Sequence, residues 1–216
     1  MTILALSDIH GAYKRMMEVV QANPAADVIV VAGDLTTHGT AQEAEAAIRQ
    51  LQETAKPVLV VAGNMDPPEL DDLFFRLGVS INGRGVIVDD VGFFGVSAAP
   101  LSPLMTPNEI TEEEIALRAE AGWKTIAPAR WKIFVPHAPP YNTHVDVIRS
   151  ARHVGSTAVR AFIERFHPDA VLCGHIHEAR GIDAIGTTKV INCGPVGQGQ
   201  YGLIHIGERV EVVARP

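Results

Sequence analysis

Cysteine is scarce in this chain: two among 216 residues, Cys173 and Cys193. That excludes a disulfide framework, and neither thiol has the paired spacing of a structural zinc site. Both lie beside motif residues in apolar, strand-like runs, where a small buried hydrophobe is the simplest reading. An excess of basic residues is missing as well. The formal net charge of −7 argues against nucleic acid as the main partner, although bound divalent cations would offset that charge locally. No apolar stretch reaches the length of a membrane span, and no basic leader precedes residues 3–6. The expected location is therefore the cytoplasm, with no membrane partner. Internal repeats and low-complexity linkers are absent, so residues 1–216 are expected to form a single domain. With 47% hydrophobic residues, a chain of this length can bury a large α/β core.

What the chain does contain is five short motifs: Asp8-Ile9-His10, Gly33-Asp34, Gly63-Asn64, Pro136-His137 and Gly174-His175-Ile176-His177. Each joins a metal-ligand side chain to a glycine, a proline or a second ligand. Most follow apolar runs (3–6, 28–31, 58–61, 133–135 and 170–172) that read as buried strands. In α/β proteins, ligands gather just past the carboxyl ends of such strands. The pattern predicts two Asp, one Asn and four His on one rim of one sheet, forming a binuclear metal site in a hydrolase. Each motif alone has a bland alternative. Asp8 and Asp34 suit caps or turns, Asn64 suits a turn, His10 a surface position, and His137 a buried imidazole bonded to backbone. Gly174-His175-Ile176-His177 is the most specific, because a glycine turn can present both imidazoles. All five together, each at a strand end, favour the metal reading. Imidazole, carboxylate and amide oxygen ligands suit two divalent transition metal ions (Mn, Fe, Co, Ni or Zn) far better than calcium. Two such ions about 3.5–4 Å apart can bind a phosphoryl group and generate a hydroxide.

Apolar periodicity predicts helices over 12–22, over 41–54 with Thr40 as its cap, and over 70–77 after Pro67 and Pro68. Alternation of these helices with strands predicts parallel crossovers. Further on, 86–88 and 91–96 read as a hairpin turning at Asp89-Asp90, and 188–192, 203–206 and 210–213 as antiparallel strands. Thr111 and Glu114 suggest a capping box for a helix over 111–121, with Glu112, Glu113 and Glu114 in a solvated first turn. The Pro-rich loop before it, at Leu101 to Thr106, is a candidate pocket wall.

The combined motif set resembles the signature blocks of the calcineurin-like metallophosphoesterase superfamily, from Asp8 to Pro195. Pro136-His137-Ala138-Pro139-Pro140-Tyr141, Gly174-His175-Ile176-His177-Glu178 and Asn192-Cys193-Gly194-Pro195 are similar to its small prokaryotic stand-alone phosphoesterases. The resemblance implies a four-layer α/β/β/α sandwich of two mixed sheets flanked by helices. It implies Asp8, His10, Asp34 and His177 on one metal, and Asp34, Asn64, His137 and His175 on the other. Asp34 would bridge, and Asn64 would also touch the substrate phosphate. The implied reaction is attack of a metal-bound hydroxide on phosphodiesters or small phosphorylated molecules. A phosphomonoesterase, a phosphoprotein phosphatase and a non-catalytic scaffold for protein interaction are the alternatives, and the last would be favoured by lost ligands. None is lost.

One position departs from the family's commonest pattern. A histidine that acts on the leaving group often follows the asparagine, but here the run is Gly63-Asn64-Met65-Asp66. Met65 transfers no proton, so substrates with poor leaving groups are expected to react slowly. Asp66 is expected to orient its neighbours. His38 and His144 lie within a few residues of metal motifs; exposed loop positions compete with a pocket role, and His144 is the candidate substrate contact. His153 precedes Ser156, where a helix N-terminus could bind an anion or simply be capped by Ser156. His167 and His205 read as structural.

Overall fold

The computed structural model describes all residues 1–216. The strands and helices follow in the order β1 (Thr2–Leu6), α1 (Tyr13–Ala22), β2 (Val28–Ala32), α2 (Ala41–Gln52), β3 (Val58–Val61) and α3 (Leu70–Arg76). Next come β4 (Gly85–Val88), β5 (Val91–Val96), β6 (Ala99–Pro100), β7 (Glu109–Ile110), α4 (Glu112–Thr125), β8 (Trp131–Pro136) and α5 (Thr157–Phe166). The chain ends with β9 (Ala170–Cys173), β10 (Gly181–Ile185), β11 (Thr188–Asn192), β12 (Tyr201–Ile206) and β13 (Val210–Arg215).

Two mixed sheets result. One has the order β13-β12-β1-β2-β3, the other β10-β11-β9-β8-β5-β4. Alternation along each strand sorts its side chains between two apolar layers. Ile3 and Ala5 of β1, with Val28 and Val30 of β2, meet Phe93, Ile133, Val135, Ala170 and Leu172 of the second sheet. On the opposite face of the first sheet, Leu4, Leu6, Ile29 and Val31 pack against Met16, Val19, Ile48 and Leu51 of α1 and α2. The second sheet's outer face puts Phe94, Phe134 and Val171 against Ile115, Ala119, Phe162 and Ile163 of α4 and α5. Strands buried on both faces explain why the sequence shows continuous apolar runs instead of alternation. The layers are helix, sheet, sheet, helix.

The sequence reading needs correction in three places. The ligand-bearing strands do not share one sheet: β1, β2 and β3 belong to the first, β8 and β9 to the second. Thr188–Asn192 lies in the second sheet, parallel to β9 and antiparallel only to β10, while β12 and β13 form an antiparallel pair in the first. Apolar content cannot reveal which neighbour a strand chooses. Glu112 is not merely solvated. Its carboxylate accepts from Ser156 Oγ, Thr157 N–H and Ala158 N–H, so α4 and Ser156 together cap α5. That leaves no anion site at the α5 N-terminus. Elsewhere Thr40 and Glu43 complete a reciprocal capping box, and Asp89 turns the β4–β5 hairpin at φ 54°. Cys173 and Cys193 are buried and unpaired.

Candidate metal centre

The site grows from the carboxyl ends of five parallel strands. β1 runs into Asp8 and His10, β2 into Asp34, β3 into Asn64, β8 into His137, and β9 into His175 and His177. Asp8, Asp34, Asn64 and His137 are buried, whereas His177 is exposed. The turns are tight. Asp8, His10, Asp34 and His175 adopt left-handed backbone, with φ of 52°, 47°, 51° and 67°. Such conformations cost of order 1–3 kcal/mol each, somewhat less for Asp and His than for bulkier residues. Glycine is required beside them for space. A Cβ on Gly63 would overlap the Asp34 carboxylate, and one on Gly174 would overlap Ser7 Oγ and the Asp8 carboxylate.

The donor atoms converge. Ligand atoms of Asp8, His10 and His177 all lie within 4.8 Å of one another, as do those of Asp8, Asp34 and His137. His10 Nε2 faces His177 Nε2 at 3.3 Å, and His177 Nε2 lies 3.4 Å from Asp8 Oδ1. Asp34 Oδ2 stands 3.6 Å from His10 Nε2 and 3.5 Å from His137 Nε2. Asn64 Oδ1 is shared by His137 Nε2 at 3.0 Å and His175 Nδ1 at 2.8 Å. Imidazole nitrogens facing one another among carboxylate and amide oxygens make a donor set suited to divalent cations.

Electrostatics among these side chains point the same way. Burial opposes ionisation of Asp8, yet the His177 bond and the charges of His137 and His177 bring its carboxyl down to about 2. Burial also disfavours a charged His137, but Asp34 and Asp8 outweigh it and lift the imidazole to about 9. Burial and the neighbouring His137 charge push His175 down to about 4. The bond to Asp8 raises His177. The carboxylates favour positive charge on His137 and His177, whereas at His175 burial and the charge of His137 prevail.

Asp66 is the organiser of this rim. Fully buried, it accepts from Leu35 N–H, Thr36 N–H, Thr36 Oγ1 and Gly63 N–H, clamping the Asp34 loop to the Asn64 loop. Met65 contributes its backbone: its N–H donates to Asp34 Oδ1 at 2.7 Å. The sequence reading missed Asn108, whose N–H donates to Asn64 O and whose Nδ2 donates to Gly63 O. Sequence carried no signal for it, because the contact spans 44 residues and copies no motif. Asn108 ties down the loop at Leu101 to Thr106, whose Leu101, Leu104 and Met105 are exposed. His38 and His144 are exposed and neither ring makes a hydrogen bond; His144 N–H donates to Asp183. The structure thus gathers all seven predicted ligands and leaves His144 outside their bonding.

The sequence profile of the calcineurin-like phosphoesterases matches residues 1–179. The chain belongs to that family, and its class is that of metal-dependent hydrolases of phosphoester bonds. It is 37% identical to a Methanocaldococcus jannaschii protein over 200 residues, 90% of this chain and 88% of the other. A Caenorhabditis elegans protein is 27% identical over 217 residues, covering 91% and 70%. Among solved structures, a Thermus thermophilus protein superposes with a TM-score of 0.78 at 22% identity, covering 98% and 97%. A dimetal phosphatase of Danio rerio superposes with 0.69 at 12% identity, covering 99% and 95%. At these identities the structural likenesses show the fold. No helix is long and apolar enough to cross a membrane.

Proposed function

We propose that the chain hydrolyses phosphodiesters or small phosphorylated molecules at a binuclear centre. In this reading Asp8, His10, Asp34 and His177 hold one divalent cation, and Asp34, Asn64, His137 and His175 hold the other. The observation that carries it is the position of Asp34 Oδ2, about equally far from His10 Nε2 (3.6 Å) and His137 Nε2 (3.5 Å). Two divalent cations, when bound, activate water and neutralise phosphoryl charge. Asn64 turns its Oδ1 toward His137 and His175, which leaves its Nδ2 to donate to a phosphoryl oxygen of the substrate. The bond from Gly63 N–H to Asp66 fixes the backbone that carries Asn64. The mixed donor set favours Mn, Fe, Co, Ni or Zn. Two free, buried thiols fit a reducing compartment, and we take the cytoplasm as the place of action.

The test is Asp34→Asn. Loss of the shared carboxylate should lower metal content from two ions per chain and reduce kcat/KM by about 100-fold or more on p-nitrophenyl mono- and diesters. Two retained metals with near-normal rates would overturn the bridging role. A wild type inert towards every ester with Mn²⁺, Ni²⁺ and Zn²⁺ would overturn the activity itself.

A further inference from the structure

Met65 leaves the leaving group without its customary proton donor, and five histidines lie outside the seven ligands: His38, His144, His153, His167 and His205. Of these, His153 alone has its ring bonded to a carboxylate. Its Nδ1 lies 2.7 Å from Asp146 Oδ1. Asp146 is itself fully buried and fixed by Asn142 N–H, Thr143 N–H, Thr143 Oγ1 and Gly155 N–H. These bonds and that of His153 outweigh burial and hold its carboxyl below the usual range. With Nδ1–H donating to Asp146, Nε2 has no protein partner, and the His153 side chain is 33% exposed. A buried carboxylate behind one ring nitrogen fixes the ring's orientation and its tautomer.

The lobe that carries this pair is slung between two metal-ligand loops. On one side, Pro139 to Tyr141 follow closely on His137 and bridge to the backbone of Ser156, through Ser156 N–H to Pro139 O and Tyr141 N–H to Ser156 O. On the other, Arg149 N–H donates to Glu178, the residue after His177, and Asn192 Nδ2 bonds both Val145 O and Ile176 O. The Tyr141 ring meets His153 edge to face at 5.8 Å between centroids.

We propose that His153, aligned by Asp146, donates the proton to the leaving-group oxygen in the reaction assigned above, in place of the absent histidine at Met65. The inference rests on the phosphoesterase reading. As water oxygen bonds to phosphorus, the bond from phosphorus to the leaving oxygen breaks, and its electron pair stays with that oxygen. The oxygen takes the Nε2 proton of the doubly protonated ring, which is left as the neutral Nδ1–H form bonded to Asp146. The proton released by the attacking water returns to His153 through solvent, so one water is consumed. This replaces the expectation drawn from Met65: the wild type should turn over alkyl esters well, with a shallow dependence on leaving-group pKa.

The experiment compares wild type, His153→Gln and His153→Gln with Met65→His across aryl and alkyl phosphodiesters. His153→Gln should lower kcat about 10²-fold or more on alkyl esters and far less on p-nitrophenyl esters, with KM little changed. Met65→His should restore part of the alkyl rate. An equal loss on both ester classes would make His153 a structural pin and overturn the proposal. Inactivity of every protein on every ester would instead sink the phosphoesterase reading beneath it. Nitrogen-15 NMR of the chelated wild type gives a readout independent of turnover: Nδ1 should carry a proton. A neutral ring protonated at Nε2 would overturn the donor role and leave the phosphoesterase reading untouched.

Discussion

The two sheets contribute unequal halves of the centre. The first supplies every candidate oxygen ligand, Asp8, Asp34 and Asn64, plus one imidazole, His10. The second supplies imidazoles only. The difference extends to support. On the first rim, Asp66 clamps two loops to one another with four bonds from within the same sheet's ends. The second rim leans on the first: His137 Nδ1 donates to Ala32 O at 2.8 Å, and His175 N–H donates to the Asp8 carboxylate. A self-braced anionic rim therefore positions a dependent imidazole rim. Neither sheet alone has a site.

Asp66→Ala should test that asymmetry with the largest effect. Four buried donors lose their acceptor, so stability should fall by about 3 kcal/mol or more in urea unfolding. Metal affinity should fall by about 10–100-fold, because the candidate ligands of both proposed ions depend on the braced rim. Lost stability with unchanged affinity would mean that the second rim orients itself.

The next effect is a proton. His137 is lifted to about 9 by Asp34 and Asp8, so after chelation it stays charged at neutral pH. A histidine with a raised folded pKa adds stability that is complete below its unfolded value of 6.5 and is lost as pH rises through about 9. Cation binding must expel that proton, so affinity should rise with pH up to about 9. Calorimetry at pH 7.5 in buffers of different ionisation enthalpy should find close to one proton released per chain. No release would show that the imidazole rim borrows no charge from the anionic one.

The smallest effect lies outside both rims. Burial opposes ionisation of Glu109, but bonds from Thr106 and Ser102 hold its carboxyl at about 2 and staple the loop at Leu101 to Thr106. A depressed carboxyl gives support present above its unfolded value of 4.5 and lost as pH falls through about 2. Glu109→Gln should speed proteolysis near Leu104 and Met105 by several-fold at pH 7 and leave metal content unchanged. Altered metal content would extend the braced rim to this loop through Asn108.

The seven candidate ligands that the fold brings together were legible in the sequence because each motif is local: an apolar strand, a turn residue, a donor. Met65 was legible for the same reason. The allocation of strands to two sheets was not, since pairing depends on partners far along the chain. Asp66 was read as an orienting residue, but the donors of its four bonds reach back 31 residues to Leu35. Glu112 was misread because a carboxylate in a first helical turn looks alike whether it meets solvent or the end of another helix. His153 was noticed for the helix that follows it, while its orienting partner Asp146 lies seven residues earlier across a turn that carries no motif.

The left-handed turns at Asp8, His10, Asp34 and His175 carry a consequence for descent. Glycine relieves that backbone at no steric cost, and it carries no donor atom. At Asp8 and Asp34 glycine would also strand the His175 and Met65 backbone donors, so those two turns are kept partly by the bonds their carboxylates accept. At His10, whose ring meets only Thr37, His177 and Asp34, an easier backbone would cost least, and there stability and the candidate centre pull hardest against one another.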